Sequence, residues 1–251
     1  MSKKIGILGG LGPEATLDLY KKIISATPAK TDQEHIETII ISNPKIPDRT
    51  QAIIYGGECP IPSMVSTAKT LEATGVSTIL IPCNTAHYFL NDIQKEINVP
   101  ITNMIRETVT SIKEEYPHIK TVGILATTGT IKAKIYQNEL EKEGFNVVIS
   151  EEDVQENFIM EAIYGTRGIK AGFKKKPRTL LKYAALHLAG KGADIIIKGC
   201  TEIAIVLNKK NCEQILIDPA GIVAKKAVEI CTSEKYNETT QSKVEIKVNN
   251  Y

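Results

Sequence analysis

Two cysteines hold equivalent places in the two halves of this chain. Pro82-Cys83-Asn84-Thr85-Ala86-His87 follows the apolar run Ser77-Thr78-Ile79-Leu80-Ile81, and Lys198-Gly199-Cys200-Thr201-Glu202-Ile203 follows Ala193-Asp194-Ile195-Ile196-Ile197. β-branched runs of this length read as buried strands, and each then opens into a helical pattern. Each thiol is therefore expected at the carboxyl end of a strand and the mouth of a helix. Backbone N–H groups and the positive end of the helix dipole favour thiolate there. Two such thiols, one from each half, suggest a pair of proton-transfer groups facing one substrate.

The elements that would position them alternate. Strand-like runs occupy Lys4–Leu8, Glu37–Ile41, Thr78–Ile81, Thr121–Ala126, Asn146–Ile149, Asp194–Ile197 and Gln214–Ile217. Helical patterns lie between them at Pro13–Ala26, Ile61–Thr74, Thr85–Glu96, Met104–Glu115, Gly129–Glu143, Val154–Ile163, Arg178–Lys191 and Ala220–Cys231. Such alternation predicts an α/β fold of parallel sheets covered by helices. Gly6-Ile7-Leu8 and Gly123-Ile124-Leu125 are separated along the chain by the same interval as Cys83 and Cys200. The expected architecture is thus two pseudo-symmetric parallel-sheet α/β domains with the active site in the cleft between them. Residues 1–116 form the first and 117–217 the second, divided near Tyr116-Pro117-His118, where proline ends a helix. A helix over 218–231 is expected to pack back on the first domain, with 232–251 a polar tail carrying one alternating run, Val244–Val248.

Composition narrows the class. The 251 residues are 42% hydrophobic and 24% charged, with a net charge of +2, ordinary for a globular protein and too balanced to argue for nucleic acid. One basic cluster, Lys174-Lys175-Lys176-Pro177-Arg178, reads as a solvated loop before a helix. No apolar run approaches the ~18 residues of a membrane span, and no signal peptide is expected. The five cysteines, Cys59, Cys83, Cys200, Cys212 and Cys231, form neither a disulfide framework nor a Cys-x-x-Cys zinc pattern, which points to a reducing cytoplasm. Cys212 and Cys231 read as small buried hydrophobes and Cys59 as a loop thiol.

The chain resembles the aspartate/glutamate racemase family, and within it the aspartate racemase branch. The matching segments are Gly9–Thr16, Ser42-Asn43-Pro44 with Pro47-Asp48-Arg49-Thr50, the Pro82–His87 turn, Ile163-Tyr164 with Ile169-Lys170-Ala171-Gly172, and Gly199-Cys200-Thr201-Glu202, spread over residues 5–230. The resemblance implies a homodimer acting on a small acidic amino acid, with neither pyridoxal phosphate nor metal. It makes Cys83 and Cys200 the two catalytic acid/bases. Arg49 and Lys170 become the cations for substrate carboxylates, although the insertion-like Gly165-Thr166-Arg167-Gly168 offers Arg167 for the second role. Asn84, Thr85 and Thr201 would bind the α-carboxylate or the amine. Thr127, Thr128 and Thr130 would add polar lining, and Leu11, Thr50, Gln51 and Glu202 complete the substrate-contacting set. Glutamate or broad specificity is the alternative to aspartate.

Racemisation removes the Cα proton and returns it to the opposite face, so one thiolate and one opposing thiol suffice. An unperturbed cysteine is only about 3% thiolate at pH 7. His87 would raise that fraction at Cys83 if charged; its other reading is a hydrogen bond within its own helix or the neighbouring loop. Glu202 would oppose it if it faces Cys200, and otherwise would hold a proton or orient the substrate ammonium. Three rivals are weighed. Gly10-Leu11-Gly12-Pro13-Glu14-Ala15 fits a dinucleotide loop, but no acidic residue ends the second strand and Pro13 removes an N–H. Cysteine-dependent dicarboxylate isomerases and decarboxylases share the architecture; a decarboxylase needs only one thiol, whereas a cis–trans isomerase can keep both, so that alternative stays open. A non-catalytic binding protein should have lost a cysteine or the cations, and this chain keeps them.

Overall fold

The structure is a computed structural model and describes residues 3–233. Its first half runs β1 (Ile5–Gly9), α1 (Pro13–Ala26), β2 (Thr38–Ser42), α2 (Arg49–Tyr55), α3 (Ile61–Ala73), β3 (Thr78–Leu80), a 3₁₀ turn (Thr85–Phe89), α4 (Leu90–Gln94) and α5 (Met104–Glu115). The second runs β4 (Thr121–Leu125), α6 (Thr128–Lys132), α7 (Ile135–Lys142), β5 (Asn146–Val148), α8 (Glu152–Val154), a π-helical stretch (Gln155–Met160), α9 (Glu161–Tyr164), α10 (Lys175–Gly190), β6 (Ile195–Lys198), α11 (Thr201–Val206), β7 (Leu216–Ile217) and α12 (Pro219–Thr232).

Strand–helix alternation yields two parallel sheets, ordered β2-β1-β3 and β5-β4-β6-β7. The cysteine-bearing strands β3 and β6 each pair in parallel with the first strand of their own half, with Ile7 opposite Leu80 and Ile124 opposite Ile197. Both faces of each sheet are covered, as near-continuous Ile, Leu and Val strands require. Leu8, Met64, Leu71 and Ile79 fill one side of the first sheet. On its other side α12 returns, packing Ala220, Val223, Ala224 and Ala227 on Ile5, Ile7, Leu19 and Ile23. The polar tail with its Val244–Val248 run lies outside the described residues.

Four local differences from the sequence expectation matter. The helix expected over Thr85–Glu96 opens as a 3₁₀ turn before α4. The helix expected over Gly129–Glu143 is broken after Ala133, where Lys134 takes a left-handed backbone (φ 52°). Arg49, expected in a loop, begins a helix: the Asp48 side chain caps α2 by accepting from Gln51 N at 2.9 Å, and Gly56, left-handed, ends it. The basic cluster is largely α10 itself, with Lys174 paired to Glu14 and Lys176 to Glu161.

The glycine loop after β1 turns inward. Gly10 (φ +89°) lies so close to the end of β2 that a Cβ would fall 2.3 Å from the Asn43 carbonyl carbon. Its N–H donates to Thr16 Oγ1 at 2.9 Å. An N–H that a dinucleotide phosphate would need is thus already engaged within the loop, against the dinucleotide reading.

Candidate active site

Both cysteines border one narrow cavity between the halves, and each reaches it on a tight turn. After β3 the chain folds back at once, with Cys83 N–H donating to Ile81 O at 2.8 Å. His87 secures this turn. Its Nε2 accepts from Met104 N–H at the start of α5 (3.1 Å), so Nδ1 carries the proton and donates to Cys83 O (2.9 Å). Burial pushes its pKa down to about 4, only partly offset by its backbone contacts to Cys83, Thr102 and Asn84. His87 is therefore a neutral clamp on the Cys83 backbone and supplies no positive charge to its sulfur.

After β6, Gly199 fits because a Cβ there would press on Ala126 at 2.9 Å; its N–H donates to Leu125 O at 2.7 Å. Cys200 then caps α11. The expectation of an anionic thiol at a helix mouth fails here. Cys200 Sγ donates to Glu202 Oε2 at 3.0 Å. Burial first, then the Glu202 charge, push this thiol well above the usual cysteine range, and Lys170 opposes them only in part. Glu202 is itself nearly buried, yet Lys170 Nζ at 2.7 Å from Oε1, together with Cys200, holds it ionised below the usual range. The carboxylate lies against Gly12: a Cβ there would fall 2.4 Å from Glu202 Oε1 and would displace it.

Arg49 is 6% exposed and its guanidinium works on the backbone. Nη1 donates to Ile46 O (3.2 Å) and Pro47 O (2.8 Å), and Nη2 to Leu11 O (2.7 Å). Despite the burial, Cys83 and Asp48 hold this cation above its ordinary pKa, which places it beside the first thiol. Its Nε is buried without a partner, as are Asn84 Nδ2 and Thr50 Oγ1.

The halves meet through a row of hydroxyls. Thr85 Oγ1 lies 3.1 Å from Thr127 Oγ1 and 2.8 Å from Thr130 Oγ1. Thr201 Oγ1 donates to Pro82 O at 3.2 Å, tying one cysteine turn to the other. Leu11, Arg49, Asn84, Thr85, Thr127, Lys170, Thr201 and Glu202 all border the cavity with the two thiols. Four expected contacts do not. Thr130 is fully buried behind Thr85, Thr128 Oγ1 turns away to donate to Glu156 Oε1 (2.6 Å), Thr50 packs against Gly129, and Gln51 is exposed on α2. Between the two cation candidates, Lys170 borders the cavity and Arg167 is exposed away from it.

Two tyrosines that the sequence reading passed over join the site. Tyr164 borders the cavity, its ring 5.3 Å from Lys170 Nζ and its hydroxyl donating to Asp48 Oδ2 at 3.0 Å. Tyr136 lies behind Asn84 and donates to its Oδ1 at 2.5 Å. For Tyr164 its place inside the matching Ile163-Tyr164 segment was the available signal; Tyr136 carried none. Cys59 is exposed, and Cys212 is packed into the second half's core. Among the described residues, no three His, Cys, Asp or Glu side chains gather as a metal site, and no helix is long and apolar enough to cross a membrane.

Known proteins resemble this chain in sequence and fold. The chain is 32% identical over 235 residues to the broad specificity amino-acid racemase RacX of Bacillus subtilis, covering 89% of this chain and 96% of that protein. Its fold superposes on aspartate racemase of Picrophilus torridus with a TM-score of 0.77 at 28% identity, over 90% of this chain and 94% of that one. An aspartate racemase homologue from Pyrococcus horikoshii gives 0.73 at 28% identity, over 92% of this chain and all of that one. With the Asp/Glu/Hydantoin racemase family model matching residues 8–227, nearly everything from β1 to α12, this chain belongs to that family of racemases.

Proposed function

We propose that the protein interconverts the L and D forms of an amino acid, with aspartate the first substrate to try, by proton transfer between Cys83, Cα and Cys200, and without pyridoxal phosphate. The observation that carries this reading is that two thiols on one cavity have opposite electrostatic neighbours. Cys200 gives its proton to a carboxylate hydrogen bond and is poised as the acid. Cys83 has the Arg49 cation beside it and takes the role of base. Reaction in the other direction exchanges the two roles.

Proton transfer of this kind contributes about 10²–10⁴-fold. The larger demand is the negative charge that gathers on the substrate carboxylate as Cα is deprotonated, and preorganised donors in a dry site meet it best. Arg49 Nε and Asn84 Nδ2, buried and unpartnered, suit that task. Lys170, shared with Glu202, would meet a second carboxylate, which suits an acidic substrate, aspartate or glutamate; the aspartate racemase neighbours support trying aspartate first. The name of the Bacillus subtilis relative supports broad specificity as the second reading.

The test is α-proton exchange. Reduced protein without added cofactor is incubated in D₂O with L- and D-aspartate and L- and D-glutamate separately, and deuterium at Cα and optical rotation are followed. Exchange with loss of rotation for one pair names the substrate. Absence of exchange with all four, and then with a panel of neutral amino acids, removes the reading; turnover of maleate would transfer it to a dicarboxylate isomerase.

A further inference from the structure

Among the described residues Tyr136 is the largest side chain with no exposure at all; its ring packs in a cluster with Ile124, Leu140, Ile195 and Ile197, and its phenol reaches the buried Thr108 hydroxyl as well as Asn84. A buried hydroxyl has to find an acceptor. This one finds Asn84 Oδ1, in the other half of the molecule, at 2.5 Å. Asn84 borders the cavity, and while its carbonyl oxygen is held by Tyr136 its amide nitrogen is buried with no partner. An unpaired buried donor is costly unless a ligand completes it.

The backbone is arranged for this contact. A single helix across residues 128–142 would carry Tyr136 around to another face. The break after Ala133 and the left-handed Lys134 restart the helix with Tyr136 in its first turn, on the side of the Cys83–Asn84 turn. A non-glycine residue is held in that region only where surrounding structure requires it.

We propose that Tyr136 is a positioning residue that acts across the domain boundary: its phenol fixes the polarity of the Asn84 amide, so that the site offers a substrate carboxylate a hydrogen-bond donor and offers the ammonium no acceptor at that point. The proposal rests on the racemase reading for its substrate but not for its geometry. Burial also drives the Tyr136 pKa well up, so the hydroxyl remains a donor throughout the working pH range.

Tyr136→Phe keeps the ring and removes the hydroxyl. The amide is then free to turn. A double-mutant cycle with Asn84→Ala separates positioning from packing, because a residue that acts only through Asn84 has no effect once that amide is gone. Two readouts are taken on all four proteins. Succinate, a dicarboxylate without an amine or a racemisable centre, is titrated calorimetrically, and α-proton exchange is followed with L- and D-aspartate. The expected result is succinate binding about fivefold weaker and kcat at least tenfold lower in Tyr136→Phe, with KM changed less than kcat. Adding Tyr136→Phe to Asn84→Ala should change neither readout. Equal losses in both backgrounds would make Tyr136 a packing residue and overturn the proposal, as would parental succinate affinity in Tyr136→Phe. A parent protein that exchanges no α-proton would overturn the racemase reading instead, while the succinate cycle still decides this one.

Discussion

Glu202 accepts the Cys200 thiol at 3.0 Å through one oxygen and the Lys170 ammonium at 2.7 Å through the other. One carboxylate thus keeps a proton on the acid and anchors a cation at the rim of the site. Glu202→Gln removes the negative charge that helps hold the Cys200 pKa high. Since Cys200 must be a thiol to act as acid, its activity persists upward in pH until that raised pKa is reached. In the Gln variant the pKa falls, and the alkaline limb of kcat/KM against pH moves to lower pH. A loss of at least tenfold in kcat at neutral pH accompanies it. An unmoved alkaline limb would detach Glu202 from the protonation of Cys200.

In the proposed mechanism each thiol serves one face of Cα. Cys83→Ala and Cys200→Ala should each lower racemisation by at least about 10³-fold, toward the upper part of what a proton-transfer group contributes, because each direction needs both. Both side chains are small and border a cavity, so thermal unfolding should stay within a few degrees of the parent. Cys212→Ala, buried away from the cavity, should leave turnover within twofold. Racemisation at the parental rate in both active-site variants would end the two-thiol mechanism.

The cysteine turns were legible in the sequence because each ends a run of β-branched residues whose only stable home is a covered parallel strand. Pairing them across a cleft followed from the repeated interval. Chemical states were less legible. The spacing of Glu202 from Cys200 allows contact without requiring it, and only the folded structure brings the carboxylate to 3.0 Å from the thiol, where burial and that charge raise the thiol's pKa. Arg49 read as a cation for substrate, yet two of its nitrogens are committed to the Leu11, Ile46 and Pro47 carbonyls, a long-range arrangement that no local pattern records. Thr128 and Thr130 belong to the same run as Thr127, but the start of α6 turns their side chains to different surroundings. The break at Lys134 has no glycine or proline to announce it, so Tyr136 could not be placed.

The neutral His87 makes the fold sensitive to acid. Its pKa is about 4 folded and about 6.5 unfolded. Between those values the unfolded chain binds the extra proton, so this contribution to stability is complete above about pH 6.5 and is lost progressively as pH falls toward 4. By pH 4.5 the loss is about 2 kcal/mol. His87→Gln cannot titrate. Urea unfolding at pH 7 and pH 4.5 should therefore show a decline with pH that is smaller by about that amount in the variant, whatever the absolute stabilities. The same decline in both proteins would mean that His87 is not held neutral.

The segment that bears Lys170 also bridges the lip of the cleft. Cys83 is 9% exposed and Cys200 7%, so a substrate reaches them only when the halves part. Two contacts from the end of α9 and the residue before α10 cross to the first half. Tyr164 donates to Asp48, whose other oxygen caps α2, and Lys174 pairs with Glu14 at the start of α1. Neither is deeply buried, and such contacts contribute about 1 kcal/mol or less each. Tyr164→Phe keeps the ring over Lys170 and removes the hydroxyl; Lys174→Ala removes the other link. If the two contacts hold the closed form, the double variant should raise KM about threefold to tenfold and leave kcat within about twofold. The Lys174 contribution should shrink as salt rises, while the Tyr164 contribution should not. A double variant with parental KM would show that closure is driven from the floor of the cleft, where Thr85 meets Thr127 and Thr130, rather than from its lip.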